Sequence, residues 1–156
     1  MIILAVLAGG TIGAPARYLT DRFVQARRDT VFPWGTFAVN MAGSAGLGFL
    51  LGAERHLGLP PVIFALLGTG FCGGLTTFST FGYETLRLLE DGAVADAGLN
   101  MIASLAAGVL LAWVGFRIAS VLLLRLASPE LPLASCASAG RTSSPGPRSE
   151  PAGSHT

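Results

Sequence analysis

Residues 68–81 read GTGFCGGLTTFSTF, and they lie inside an uncharged run that extends from residue 57 to residue 83. Such a run is long and apolar enough to be membrane-embedded, because about 20 apolar residues cross a hydrocarbon core of about 30 Å. Its four glycines weaken a helix at mid-depth, and its threonines and serine add hydroxyl groups. Non-helical backbone at that depth is tolerated only where it is buried in protein or lines a hydrated cavity. The stretch therefore predicts a spanning helix that is broken in order to form a site.

The composition predicts an integral membrane protein. Mean hydropathy is +0.62 and charged residues make up 12% of the chain, against about 25% in soluble domains. Four uncharged runs, 1–16, 30–53, 57–83 and 97–116, predict spans over roughly residues 2–20, 33–53, 61–89 and 97–123. The first span lacks a basic leader and continues through Arg17, so we predict a retained helix and not a signal peptide.

The end of the chain differs in composition from the rest. After residue 126 it consists mainly of Ser, Pro, Ala and Gly, which bury too little apolar surface to offset the entropy of ordering. We therefore predict a four-span membrane domain over residues 1–125 and a disordered polar tail over residues 126–156. The net charge of +1 gives no reason to expect a nucleic-acid partner.

The arginines in the short loops are nearly balanced between the two sides of the membrane. Arg22, Arg27, Arg28 and Arg87 fall on one side, and Arg55, Arg117 and Arg125 fall on the other. Because basic loops set orientation, so small a bias is compatible with insertion in both directions and with a dimer of oppositely oriented subunits. The alternative is that one of these arginines still decides the orientation.

Two polar tracks recur every four residues along otherwise apolar helices: Thr36, Asn40 and Ser44 in the second span, and Asn100, Ser104 and Gly108 in the fourth. Either track could simply form hydrogen bonds between helices. Asn40 stands out because a buried carboxamide has two donor hydrogens and an acceptor to satisfy. It predicts either a transport pathway or a structural connection, and the residues alone leave both open.

Phe78 and Phe81 share one face of the helix that follows the break, with Thr77 and Thr80 beside them. They could be a core or lipid-facing aromatic pair. Alternatively, ring edges carry positive partial charge, so two rings presented edge-on can stabilise a small anion without trapping it. Arg17 lies near the end of the first span, where it could attract anions to a vestibule or cap helix-terminal carbonyl groups.

The sequence carries no enzyme signature, since it contains no HExxH motif, no cluster of Cys or His ligands and no buried acid–base pair. We expect Glu84 and Glu90, at the end of the third span, to be solvated.

Three motifs together resemble a known family: GTIGAPARY at residues 10–18, WGTFAVNMAGS at residues 34–44, and the glycine-rich stretch at residues 68–81. Over residues 2–121 the chain resembles the CrcB/Fluc family of fluoride channels. The resemblance implies four spans with a broken third helix, assembled as an antiparallel, dual-topology homodimer in a prokaryotic plasma membrane or inner membrane. It implies passive fluoride export through two pores and one central sodium ion.

The resemblance also assigns residues. Phe78, Phe81 and Asn40 match the lining of the fluoride pore, accompanied by Thr77 and Thr80. Ser104 matches a pore hydroxyl, and Asn100 stands where the family pattern leads us to expect tyrosine. Gly73 and Thr76 match the positions whose backbone carbonyls hold sodium at the dimer axis, and Arg17 matches the arginine of the first-span motif. Two broken helices that meet on a twofold axis would supply four carbonyl oxygens for such a cation.

Two other functions compete with a fluoride channel. A small proton-coupled drug exporter also has four spans, but it needs a carboxylate within the membrane, and the first span has none before Asp21. Small residues recur every four positions at Gly9 and Gly13 in the first span and at Ser44, Gly48 and Gly52 in the second, and they predict close helix packing. A non-transporting membrane assembly subunit would explain these glycines but not a broken helix that carries a phenylalanine pair.

Overall fold

The structure is a computed structural model that describes residues 1–27 and 32–127. Within these ranges the chain is all-helical, and four helices are long and apolar enough to cross a membrane: Ile2–Gln25, Trp34–Leu57, Pro61–Glu90 and Val94–Leu126. The chain is therefore a multi-pass membrane protein, with the four spans that the uncharged runs predict. The predicted tail lies outside the described residues from residue 128 onward.

The third span consists of two helices. We label the elements α1 (Ile2–Gln25), α2 (Trp34–Leu57), α3 (residues 61–75), α4 (Phe78–Glu90) and α5 (Val94–Ala127). The α3 helix has α-helical ends, Pro61–Phe64 and Gly73–Leu75, around a π-helical stretch, Ala65–Cys72. The α2 helix continues past its apolar run to Leu57 and stops at Gly58, whose left-handed φ of 60° suits glycine.

The helices pack in two main pairs, α2 against α5 and α1 against α3. Large apolar side chains such as Ile3, Leu4 and Ile12 remain exposed on the outer surface, as expected where lipid takes the place of water. The fully buried positions are small or medium-sized, for example Val39 and Ala119. Small residues therefore set the close spacing of the helices.

The closest approach of α1 and α3 depends on glycine in both helices. A Cβ on Gly70 would lie 2.9 Å from Gly9 Cα and 2.7 Å from the Val6 carbonyl oxygen, and a Cβ on Gly9 would overlap the α3 backbone. The backbones meet at this point with no room for a side chain. Packing, which we predicted for the glycines of the first two spans, is thus also a role of Gly70 in the third.

Candidate functional site

The third span is interrupted at two threonines, between α3 and α4. Thr76 and Thr77 have extended backbones, with φ, ψ of −80°, 157° and −149°, 125°, and α4 begins at the next residue. The glycines at 68–74 are instead in helical conformation, so the break lies after them and not among them. The Thr77 side-chain oxygen caps α4 by accepting a hydrogen bond from the Thr80 N–H, at 3.3 Å.

Asn40 on α2 bonds both backbone polar groups of Thr77, the second residue of the extended segment. Its Oδ1 accepts from the Thr77 N–H at 2.8 Å, and its Nδ2 donates to the Thr77 carbonyl at 3.1 Å. The Asn40 carboxamide thus exchanges two hydrogen bonds with Thr77, as the backbone of a neighbouring strand does in a β-ladder. Of the two alternatives left open for Asn40, the structural connection is present, and the second Nδ2 hydrogen remains for another acceptor.

These bonds divert two donors that a continuous helix would have used. The N–H of Thr77 would bond the Gly73 carbonyl and the N–H of Thr80 would bond the Thr76 carbonyl, but they donate to Asn40 and to Thr77 Oγ1. The carbonyls of Gly73 and Thr76 therefore both lack their helical partner. Gly73 faces open space, with no atom within 4 Å of a Cβ placed on it.

Arg17 on α1 also reaches the break. Its Nη1 donates to the Thr76 carbonyl at 3.5 Å. The side chain is half-buried. This contact is the capping of a helix-terminal carbonyl, one of the two roles that the sequence left open, and the long distance makes it a weak bond.

The two predicted phenylalanines occupy the first turns of α4. Their ring centroids lie 5.8 Å apart with the planes inclined at 44°. Phe78 is 83% exposed, whereas Phe81 is half-buried. A large aromatic ring left uncovered at mid-span must face lipid, another protein surface or a cavity.

A groove of about 630 Å³ runs past the break. It collects most of the residues that the sequence singled out: Asn40, Gly73, Thr76, Thr77, Phe78, Phe81 and Ser104. Thr80 and Arg17 are not among the residues that line it. Ser44 and Gly108, one from each polar track, also line the groove and are neighbours, because a Cβ placed on Gly108 would lie 3.5 Å from Ser44 Oγ. Among the described residues that line it, none carries a formal charge.

Two polar contacts differ from the expectations. Glu84, which we expected to be solvated, is half-buried, and its Oε1 accepts from Thr36 Oγ1 at 2.8 Å, while Oε2 is buried without a partner among the described atoms. Asn100, which the polar track grouped with Ser104, is 1% exposed and does not line the groove. The four-residue spacing located both tracks, but it could not tell which member faces a neighbouring helix.

The profile of the family described as "CrcB-like protein, Camphor Resistance (CrcB)" matches residues 4–116. The chain belongs to the CrcB family.

Three curated relatives match along almost their whole length. A protein named fluoride-specific ion channel FluC 1 from Streptomyces avermitilis is 56% identical over 119 residues, which cover 76% of this chain and 96% of that protein. The Frankia casuarinae protein of the same name is 52% identical, covering 74% and 94%. Fluoride-specific ion channel FluC from Citrifermentans bemidjiense is 40% identical, covering 78% and 98%. The CrcB match ends before the tail and includes every residue of the candidate site.

Proposed function

We propose that this chain is a fluoride-selective, passive ion channel that exports fluoride from the cytoplasm. The relatives named fluoride-specific ion channels support the substrate. The observation that carries the proposal is the groove beside the break, which combines an amide, hydroxyl groups and two phenyl rings without a charged residue among the described lining. Such a lining suits an anion better than a cation, because it offers donors and ring edges but no carboxylate.

The pore we propose follows this groove. Fluoride gives up strong hydrogen bonds to water on entry, so the lining must replace them. The second Nδ2 hydrogen of Asn40, which is not used at Thr77, is one donor that points to this role. The hydroxyls of Thr77 and Thr80 and the ring edges of Phe78 and Phe81 complete the set. Ser104 also lines the groove, and its hydroxyl can donate to fluoride when it turns away from Asn100 Oδ1, to which it donates at 3.4 Å. Thr80 acts through Thr77, since their hydroxyl oxygens lie 3.1 Å apart.

We propose a structural sodium ion bound by the backbone carbonyls of Gly73 and Thr76. Both carbonyls have lost their helical donors, and hard cations prefer such oxygens. Arg17 uses one lone pair of the Thr76 carbonyl and leaves the other, because a carbonyl oxygen has two. The described residues contain no group of three or more His, Cys, Asp or Glu side chains that could hold a metal, and we propose these backbone carbonyls as the ligands. A bound cation would raise the electrostatic potential beside the anion path.

We propose that two copies assemble as an antiparallel, dual-topology homodimer. One copy supplies only two of the carbonyls, and a second copy related by a twofold axis would supply the same two again. The exposed ring of Phe78 and the open side of Gly73 are surfaces that such a partner would cover. The near balance of loop arginines is compatible with insertion in both orientations.

Fluoride export through such a channel needs no energy source other than the membrane potential. Moving one charge through 100 mV is worth about 2.3 kcal/mol, so a potential that is negative inside drives an anion outward. We accordingly propose the prokaryotic plasma membrane, or the inner membrane where there are two, as the location.

One observation favours an alternative function, a proton-coupled exporter. A proton-coupled exporter needs a carboxylate within the membrane, and Glu84 is half-buried against Thr36 within the third span. An efflux assay separates the two functions. Liposomes containing the protein and loaded with potassium fluoride should release fluoride when valinomycin is added, without a pH gradient, and should retain chloride in a parallel sample. Release that requires a proton gradient, or equal release of chloride, would contradict the channel.

A further inference from the structure

Asn100 is buried beside the proposed pore without lining it. Its side chain is 1% exposed, and it lies on α5, one helical turn before Ser104. Its Nδ2 donates to Thr85 Oγ1 on α4 at 2.9 Å, and its Oδ1 accepts from Ser104 Oγ at 3.4 Å. A buried amide in an apolar bundle is retained only when its polar atoms are bonded, and here both of them are.

The hydrogen bonds around Asn100 run in one direction. Thr85 Oγ1 donates to the Phe81 carbonyl at 2.7 Å. Because a carbonyl can only accept, the Thr85 hydroxyl hydrogen is committed to Phe81, and its oxygen must accept from Asn100. That requirement orients the amide with Nδ2 toward Thr85 and Oδ1 toward Ser104. The chain thus links the fourth span to the backbone of the residue whose ring lines the groove.

The α4 helix needs this support because it begins at a break. At its first turn it is held by the bonds between Asn40 and Thr77. The bond from Asn100 to Thr85 holds it again, four residues beyond Phe81. Between these two attachments lie both groove-lining phenylalanines. The bond to Thr85 crosses from one helix to another, so it restrains how α4 rotates and slides against α5.

We propose that Asn100 is a positioning residue for fluoride conduction: acting through Thr85, it fixes the Phe81 ring in the groove. This inference rests on the proposed function, in that Phe81 must line the pore. Leucine at position 100 would fill a similar volume but would leave Thr85 without its donor and free α4 to shift.

The test combines transport with a direct probe of the ring. Fluoride efflux per folded protein is measured for Asn100→Leu, Thr85→Val and Thr85→Ser, with Ser120→Ala as a control, because the Ser120 hydroxyl bonds only a carbonyl of its own helix. In the same set, a trifluoromethyl-phenylalanine at position 81 is observed by fluorine NMR in fluoride-free buffer. We expect Asn100→Leu and Thr85→Val each to lower efflux about five- to tenfold, the loss that corresponds to one hydrogen bond.

The spectra decide the mechanism. We expect one narrow resonance for the parent, Thr85→Ser and Ser120→Ala, and a broadened or displaced resonance for Asn100→Leu and Thr85→Val. Combining Asn100→Leu with Thr85→Val should add little, because both remove the same bond. An unchanged resonance in both variants, or losses of efflux that multiply in the double variant, would overturn the proposal. If Asn100→Leu does not fold, Thr85→Val against Thr85→Ser makes the same comparison. A parent that passes no fluoride refutes the proposed function, whereas the spectra still test the positioning.

Discussion

The carboxamide of Asn40 bonds both the N–H and the carbonyl of Thr77, at 2.8 Å and 3.1 Å. This pairing explains how a transmembrane helix can be interrupted without leaving the Thr77 backbone unbonded. It also frees the Gly73 carbonyl, because the Thr77 N–H donates to Asn40 and no longer to Gly73. One side chain thus connects the anion-suited groove to the proposed cation site.

Asn40→Asp should abolish fluoride efflux. Aspartate cannot donate a hydrogen bond to the Thr77 carbonyl, and its negative charge repels an anion. A charged carboxylate at this depth of the membrane costs about 2.5–3.5 kcal/mol, a free energy that corresponds to a factor of roughly one hundred. Efflux is measured in liposomes and divided by the amount of folded protein eluting from size exclusion, with Ser120→Ala as the control. Efflux at the parent level would show that the anion path avoids Asn40.

Phe81→Ile and Phe78→Ile should each lower efflux by about two- to tenfold while the protein still folds. Isoleucine keeps an apolar side chain but removes the positive ring edge, whose interactions are worth about 0.5–1.5 kcal/mol. Phe23→Ile, an exposed phenylalanine near the end of α1, should conduct like the parent. If the pair serves only packing, the two groove variants will instead lose folded protein and keep their efflux per folded molecule.

Gly73→Ala should weaken the dimer without harming the fold of one chain. A methyl group there meets no atom of its own chain within 4 Å, and the same is true of Gly82 on α4. Gly82 does not line the groove and is the matched control. We expect Gly73→Ala, but not Gly82→Ala, to shift the monomer–dimer equilibrium in detergent toward monomer. Equal behaviour of the two variants would argue against a dimer contact at Gly73.

Sodium should raise the thermal stability of the detergent-solubilised protein. A ligand that binds only the folded state at 100 times its Kd adds about 2.7 kcal/mol. The Tm is recorded in sodium chloride and in choline chloride at equal ionic strength, so that screening is matched. Superimposable melting curves would remove the case for a structural sodium ion.

A cysteine at the end of α1 should be labelled from both sides of the membrane. Gln25→Cys places an exposed thiol at the last residue of that helix, in a background carrying Cys72→Ala and Cys136→Ser. In sealed vesicles a membrane-impermeant maleimide should label about half of the protein from outside, and the remainder after permeabilisation. Complete labelling, or none, before permeabilisation would demonstrate a single orientation.

Much of the candidate site could be predicted from the chain because its residues lie in local patterns. The four uncharged runs predicted the four spans, since hydrophobic thickness sets span length. Phe78 and Phe81 share a helix face by spacing alone, and both line the groove. Glu84 was misjudged because its position near the end of an apolar run says nothing about the Thr36 hydroxyl that approaches from α2.

The amino-acid sequence by itself determined the class of protein, the number of spans and the presence of an interruption in the third, because hydropathy and local backbone preferences are properties of neighbouring residues. Only the tertiary structure decided where that interruption falls. Glycines weaken a helix, yet Gly70 stays helical because its backbone packs closely against Gly9, and this contact stabilises the pair of helices. The break moves to Thr76 and Thr77, where the amide of Asn40, 37 residues away along the chain, supplies the hydrogen bonds that the helix gives up.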